Sequence, residues 1–253
     1  MRYRSLRQHD GVRVELLNAG WITAAAGIWR RGDSLEHTIR FPVPAYVIET
    51  GSERILVDTG LHPDAVERRG ERYGDTKALG PVALELAASI AEQTDVTTVT
   101  KVVLTHLHYD HAGGLALLPS SIPIVVQRRE WEAAQDPARA ARNYFHDVDF
   151  ASAAPRVVLV DGDCDLLPGG SIRLLLTPGH TPGHQSVCIE ERLVIGGDVS
   201  HFASGFDDHR FPMFADDFEA QAASAERLRS LRDEGLTVLP GHDAALLEPR
   251  LLL

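Results

Sequence analysis

Four side chains that can bind a metal ion lie close together in the segment 106–111. His106 and His108 are two residues apart, so on an extended backbone both imidazoles point the same way and can hold one ion. Asp110 and His111 follow directly and are predicted to begin a helix that aims them at a neighbouring point. A lone histidine is usually a structural residue, whereas four potential ligands at this spacing favour a metal site.

Three further segments each place one potential ligand after an apolar run and a glycine. These ligands are His180, Asp198 and His242. Turns prefer Asn, Asp and Ser and do not need imidazole, so turn formation alone does not explain the pattern. The whole set has five histidines and two aspartates. Nitrogen and oxygen ligands without thiolate suit zinc, iron(II), manganese or cobalt.

The elements that must position these residues alternate between β-rich runs and helical patterns. Strands are predicted at 12–17, 43–50, 54–58, 101–105, 122–127, 156–160, 172–177, 186–190, 193–197 and 237–240, with a hairpin turn at 49–52. Helices are predicted at 80–93, 112–118, 128–135 and 217–234. Two β-rich halves, each ending in helices, predict an α/β fold of the αββα sandwich type, as a single domain over 1–253.

Composition excludes several classes of protein. The chain has 253 residues, with 36 acidic and 25 basic side chains and a net charge of −11, so it repels polyanions and no nucleic-acid partner is expected. No apolar run approaches the roughly 20 residues of a membrane helix, and the N-terminus has no apolar signal segment. We therefore expect a cytoplasmic protein without a membrane partner. Cys164 and Cys188 are too few for a disulfide framework and are expected to be reduced.

The segment 106–111 resembles the His-x-His-x-Asp-His signature of the metallo-β-lactamase superfamily. Within that superfamily, segments 42–50, 55–60, 125–134 and 177–186 look like those of the N-acyl-homoserine-lactone lactonases. The likeness runs from about residue 42 to residue 242, which is most of the chain. It implies the metallo-β-lactamase fold and a quorum-quenching hydrolase. Such an enzyme opens the lactone ring by attack of a metal-bridging hydroxide.

The resemblance also assigns roles to the potential ligands. Two divalent ions are expected, zinc first, with iron, manganese or cobalt as alternatives. The first ion would be held by His106, His108 and His180, the second by Asp110, His111 and His242, with Asp198 bridging them. Asp58 matches an acidic position expected to orient the ligating imidazoles, although a plain strand-end turn is the alternative. His184 lies outside the ligand set and is expected to support it.

The resemblance suggests two catalytic residues. Asp110 would protonate the ring alkoxide as it leaves. Many lactonases of this family carry a tyrosine three residues after the bridging aspartate, where this chain has His201. A neutral imidazole can still donate one hydrogen bond, or it could add a pH dependence. This departure leaves the identity of the lactone open.

Apolar residues near the site are expected to contact an acyl chain. Candidates are Tyr109, which lies between two ligands, and three phenylalanines of the loop after the bridging aspartate: Phe202, Phe206 and Phe211. Ordinary packing of that loop is the alternative, and Phe218 is expected in the core of the following helix. The segment 61–79 is polar and punctuated by two glycines, and it could form a lid or a homodimer contact.

Other functions stay open at this point. A different lactone or a thioester substrate is compatible with the same ligands, although only eleven residues follow His242, too few for the C-terminal domain of glyoxalase II. Persulfide dioxygenases of the superfamily hold one iron with two histidines and an aspartate, whereas the seven ligand positions here favour two metals. A non-catalytic binding module is expected to have lost ligands. Counting the metals would separate these alternatives.

Overall fold

The computed structural model of the protein describes residues 11–74 and 81–247, and two β-sheets dominate it. The larger sheet contains β1 (Arg13–Ala25), β2 (Thr38–Glu49), β3 (Arg54–Val57), β4 (Ala83–Glu85), β5 (Lys101–Val103), β6 (Ile124–Gln127) and β7 (Val157–Val160). The smaller sheet contains β8 (Cys164–Asp165), β9 (Ile172–Leu176), β10 (Gln185–Ile189), β11 (Leu193–Ile195) and β12 (Thr237–Leu239). The strand orders are β4-β1-β2-β3-β5-β6-β7 and β12-β11-β10-β9-β8.

The helices are mostly short. They are α1 (Ala26–Trp29), α2 (Pro63–Glu67), α3 (Arg69–Tyr73), α4 (Ile90–Gln93), α5 (Tyr109–Ala112), α6 (Arg128–Gln135), α7 (Pro137–Arg142), α8 (Asp147–Phe150), α9 (Gly205–Asp208) and α10 (Phe218–Asp233). Short 3-10 helices lie at Val96–Thr98, Gly113–Leu117, Ala151–Arg156, Gly197–Val199 and Ala244–Leu247. Across residues 11–74 and 81–247, no helix has both the length and the apolar character needed to cross a bilayer.

Apolar side chains from the facing sides of the two sheets form the central core. In β10, Val187 and Ile189 point into this core, whereas Cys188 between them packs on the other side with residues of α10. This alternation is that of a strand covered on both faces. The outer face of the larger sheet is covered by α6 and α8, through Ala133 and Phe150. The layers are helix, sheet, sheet, helix, so the predicted αββα sandwich is confirmed.

The carboxyl ends of several strands point to the same edge of the sandwich. In the smaller sheet β11 is parallel to β12, and β9 has the same direction because β10 is antiparallel to both of its neighbours. His180, Asp198 and His242 follow the ends of β9, β11 and β12. In the larger sheet β5 ends at Val103, just before His106. The fold therefore brings segments distant in sequence to one place.

Two local predictions are confirmed. The long helix predicted at 217–234 is α10, and the Asp217 carboxylate caps it by accepting from the backbone N–H of Glu219 and Ala220, at 2.9 and 3.0 Å. The predicted hairpin turn joins β2 to antiparallel β3, and the Thr50 N–H donates to the Glu53 carbonyl at 2.8 Å.

The predicted helix at 80–93 is wrong over most of its length. Residues 81–89 contain β4, which pairs with β1, and only Ile90–Gln93 is helical. Val82, Leu84 and Leu86 alternate with more exposed residues and pack on the same apolar cluster as Ile22. The period of the pattern is thus two residues, and strand pairing overrides the helical interpretation. Residue 80 lies outside the described residues.

Two other expectations need correction. The helix predicted at 112–118 is instead α5 followed by a 3-10 turn, because Gly113 and Gly114 are poor helix formers. Phe218 is not in the helix core: it is 38% exposed and lies under the Arg31 guanidinium. The segment 61–79 contains α2 and α3, and its residues 75–79 lie outside the described part of the chain, so its role as a lid or a homodimer contact stays a prediction.

Candidate metal centre

The seven predicted ligands lie together in the interior of the protein. None of them is more than 6% exposed: His106, His108, Asp110, His111, His180, Asp198 and His242. Their ligand atoms form two adjoining groups, and Asp198 adjoins residues of both. The fold therefore brings together the seven residues that the sequence predicts as ligands.

In the first group, the atoms facing one another are Nε2 of His106, Nδ1 of His108 and Nε2 of His180. The His108 nitrogen lies 2.9 Å from that of His106 and 3.1 Å from that of His180. The Asp198 Oδ2 atom is 3.3 Å from His180 Nε2 and 3.8 Å from His106 Nε2. Ligands about 2.0 Å from a tetrahedral ion are about 3.3 Å apart, so these separations fit one ion.

The second group is built in the same way around Asp110, His111 and His242. The His242 Nε2 atom lies 3.5 Å from Asp110 Oδ2 and 3.3 Å from Asp198 Oδ1. The His111 Nε2 atom lies 3.8 Å from Asp110 Oδ2 and 3.5 Å from Asp198 Oδ2. Asp198 therefore presents one oxygen to His242 and the other to the first group and His111, as a bridging carboxylate would.

Buried atoms without partners support a fit to metal ions. Among the described residues, Nε2 of His111, Nε2 of His242 and Oδ1 of Asp198 lack a hydrogen-bond partner within the protein. An unsatisfied buried polar group costs about 1–3 kcal/mol, and more when it is charged. Metal coordination would satisfy all three atoms.

The charges of the ligand side chains also favour metal binding. Burial lowers the pKa of His108 to about 4 and holds the pKa values of His106 and His180 well below their usual range, so these imidazoles are neutral, as metal ligands must be. Burial also lowers the pKa of His111, but the carboxylates of Asp198 and Asp58 outweigh this effect and raise it well above normal. The carboxylates thus favour positive charge at the second group, which a divalent cation would supply.

Other protein atoms fix each ring that faces the second group. The Asp58 carboxylate accepts from His111 Nδ1 at 2.8 Å and from the backbone N–H and hydroxyl of Thr105, each at 2.8 Å. His242 Nδ1 donates to the Pro42 carbonyl at 2.8 Å. These contacts leave Nε2 of both rings directed at the centre, which is the geometry expected for the orienting role of Asp58.

Two buried residues hold the ligand loops in place without facing the centre. His184 Nε2 accepts from the backbone N–H of Asp198 at 2.9 Å, and its Nδ1 contacts the Thr177 hydroxyl at 3.0 Å. The Glu130 carboxylate accepts from the backbone N–H of Leu107 at 3.0 Å and of Gly183 at 2.8 Å. It therefore joins the loop of His106 and His108 to the loop of His180.

The role of Glu130 is absent from the sequence-based prediction. Its side chain is fully buried, and burial raises its pKa to about 7. The signal in the sequence is one glutamate among the polar residues of α6, and only the tertiary structure separates it from exposed Glu132 on the same helix.

Comparison with known proteins identifies the family. Residues 38–242 match the metallo-beta-lactamase superfamily. The chain belongs to this superfamily. One curated relative, N-acyl homoserine lactonase of Bacillus cereus, is 31% identical over 221 residues, which cover 81% of this chain and 82% of the relative. Another, N-acyl homoserine lactonase AttM of Azorhizobium caulinodans, is 28% identical over 246 residues, covering 92% and 93%.

Solved structures agree with this membership. An N-acyl homoserine lactone hydrolase, with the product N-hexanoyl-L-homoserine bound at its catalytic metal centre, matches with a TM-score of 0.79 and 26% identity over 97% of this chain and 96% of the other. A mutant lactonase of Bacillus thuringiensis with bound N-decanoyl-L-homoserine matches with the same TM-score, identity and coverage. The chain is a metal-dependent hydrolase of the metallo-β-lactamase superfamily.

An apolar cavity of about 160 Å³ lies beside the metal centre of this superfamily member. Its walls come from elements far apart in the chain and include Ile28, Trp29, Val82, Tyr144, His146 and Phe214, together with the predicted residue Tyr109. His108, Asp110 and Asp198 also line it, so the cavity opens directly onto both groups of candidate ligands.

Of the four residues predicted to contact the substrate, only Tyr109 is among the residues that line this cavity. Tyr109 lines it, whereas Phe206 and Phe211 are each 2% exposed and pack in the core between the smaller sheet and α10. The expectation that these two contact an acyl chain is wrong, because both side chains pack in the buried cluster that contains Leu228. Phe202 is half-buried against Phe41 rather than in the cavity wall.

His201 lies at the centre itself. Its Nε2 atom is 3.2 Å from Asp198 Oδ2, and its ring stacks on that of His242 with centroids 5.0 Å apart. Burial lowers the pKa of His201, so the ring is neutral near pH 7. A neutral imidazole donates one hydrogen bond, which is the capacity expected of this residue in place of the tyrosine.

Proposed function

We propose that this enzyme opens the ring of N-acyl-homoserine lactones by hydrolysis and thereby quenches quorum signals. The observation that carries the proposal is a two-part cluster of buried ligands, bridged by Asp198, at the floor of an apolar cavity. The names of the similar proteins support the lactone as substrate. The cavity suits an apolar chain attached to a polar head, because small-molecule sites combine apolar walls with a few polar groups.

The ligand set is proposed to bind two divalent ions, with zinc as the first choice of metal. When bound, the ions acidify a water molecule that acts as nucleophile and polarise the ester carbonyl. The protein contributes the spacing, since Asp198 presents its two oxygens to different groups of ligands. Trp29, which is 6% exposed, and the half-buried Phe214 add apolar wall to the cavity beside the ligands.

Two side chains are proposed to act on the reacting atoms. Asp110 lines the cavity, and its carboxylate is placed to take the proton that the attacking water gives up and to pass it to the alkoxide that leaves when the ester bond breaks. His201 is proposed to donate a hydrogen bond to the lactone carbonyl. Its position beside Asp198 and His242 supports this role, and its shape differs from that of tyrosine, so other lactone rings belong in the test.

The test incubates the zinc-loaded protein with a panel of homoserine lactones that carry short and long acyl chains. Hydrolysis is measured by the acid that it releases. We expect ring opening, and at least a 100-fold loss of kcat/KM in Asp110→Asn, because general acid–base groups contribute about 10²–10⁴-fold. The matched control is Asp161→Asn. Its carboxylate pairs with Arg128 at the surface and is 66% exposed, so its activity should equal that of the wild type. A zinc-loaded enzyme that opens no member of the panel would contradict the proposed substrate.

A further inference from the structure

Besides Asp198 Oδ1 at the candidate metal centre, three polar atoms of residues that line the apolar cavity lack a hydrogen-bond partner within the described part of the protein. They are the indole N–H of Trp29, the hydroxyl of Tyr109 and Nε2 of His146. Leaving a buried donor unpaired costs about 1–3 kcal/mol, and an aliphatic acyl chain would satisfy none of them. Their presence in an otherwise apolar wall therefore points to polar atoms on the ligand.

Two of these atoms belong to one patch, which we call the Tyr109–His146 pair. Both rings pack edge-on against Tyr73, with centroids 6.3 Å away for Tyr109 and 5.1 Å away for His146. The Tyr73 hydroxyl is already engaged, because it donates to the buried carboxylate of Asp149 at 3.1 Å and accepts from the Arg72 guanidinium at 3.3 Å. Tyr109 is only 7% exposed and lines the cavity, so its hydroxyl is shielded from bulk solvent.

The third atom belongs to a different part of the wall. The Trp29 ring packs against His201 at 5.1 Å and against His242 at 6.1 Å between centroids, so it lies beside the metal centre. An indole N–H can only donate. It is therefore suited to an acceptor close to the lactone, such as the amide carbonyl that all acyl-homoserine lactones share. That assignment leaves the Tyr109–His146 pair for another atom of the substrate.

We propose that the Tyr109–His146 pair recognises an oxygen atom on the acyl chain close to the amide, so that the enzyme prefers 3-oxo-acyl-homoserine lactones to unsubstituted ones. This inference rests on the proposed lactonase function. A keto oxygen has two lone pairs and accepts from a phenol and an imidazole at once. An unsubstituted chain places a methylene there and leaves both groups unpaired.

The protonation states agree with this role. Burial lowers the pKa of His146, so its imidazole is neutral near pH 7 and can carry its proton on Nε2 as a donor. The Tyr109 phenol carries one proton that it can donate. Both members of the pair are donors in the same pH range.

The experiment compares kcat/KM for N-(3-oxooctanoyl)- and N-octanoyl-homoserine lactone, which have the same chain length, using the zinc-loaded full chain. We expect the wild type to favour the 3-oxo compound about tenfold. In Tyr109→Phe, and separately in His146→Leu, this ratio should fall towards one. The ratio does not depend on the fraction of folded enzyme, because both substrates are measured on the same preparation.

The matched control is Tyr144→Phe. Tyr144 borders the same cavity, but it is 49% exposed and its hydroxyl is not among the buried unpaired atoms, so the ratio should keep its wild-type value. Equal wild-type rates on the two lactones would overturn the inference and leave the lactonase proposal standing. A Tyr109→Phe variant that slows both lactones equally would place the hydroxyl on the shared amide and also overturn it. If neither lactone is opened, the proposed function fails and the inference fails with it.

Discussion

At the scale of single residues, the most informative side chain is one that touches no candidate ligand side chain. Glu130 joins two ligand loops through backbone N–H groups on Leu107 and Gly183. In Glu130→Gln one of these donors would face an amide NH₂ group. We expect zinc affinity to fall about 10–100-fold, the usual effect of losing a residue that supports metal ligands. Competition with a chromogenic chelator measures this.

The control for that variant lies on the same helix. Glu132 is exposed, so Glu132→Gln should bind zinc as the wild type does. If both variants keep wild-type affinity, the loops hold their positions without the Glu130 carboxylate, and the positioning role assigned to it is wrong.

At the scale of elements, the site depends on how closely the His180 loop packs on α10. Gly179 has a φ of +130°, and a Cβ atom there would lie 2.1 Å from the backbone nitrogen of Gln221. Gly179→Ala must therefore displace the helix or the loop. We expect a loss of about 1–3 kcal/mol in the free energy of unfolding, as for other overpacked sites, together with weaker zinc binding.

Chemical denaturation of metal-free protein and a zinc titration measure the two effects. Gly51→Ala is the control, because nothing lies within 4 Å of its Cβ position and its φ is not left-handed. Wild-type stability and zinc binding in Gly179→Ala would show that the loop can move away from α10 at no cost.

The same scale explains which elements and residues could be predicted from the sequence. The ligands could be predicted, because His106 and His108 share a short segment and the other ligands follow strand ends. The strand β4 could not, because its pairing with β1 joins distant segments. Trp29 and His146 escaped prediction for a similar reason: no local pattern marks a residue that tertiary structure brings to a cavity wall. Phe206 and Phe211 have the composition of a substrate loop but pack in the core.

At the scale of the whole molecule, the two sheets explain how an acidic protein builds a centre that attracts cations. The net charge is −11, and the carboxylates of Asp58, Asp110 and Asp198 are buried together beside the neutral imidazoles of the first group of ligands. The sandwich shields these carboxylates from solvent, so their field acts mainly on whatever occupies the centre. Bound divalent ions would offset this local negative charge.

The proposal that the centre holds two metal ions is tested most directly by counting the ions bound to each chain. Elemental analysis of the purified full chain, after incubation with zinc and removal of free metal, measures the number of ions per chain. We expect two ions in the wild type, and fewer than one in Asp198→Ala, since the bridging carboxylate adjoins ligands of both groups. A single ion in the wild type, or two ions retained without the Asp198 carboxylate, would contradict the proposed two-metal site.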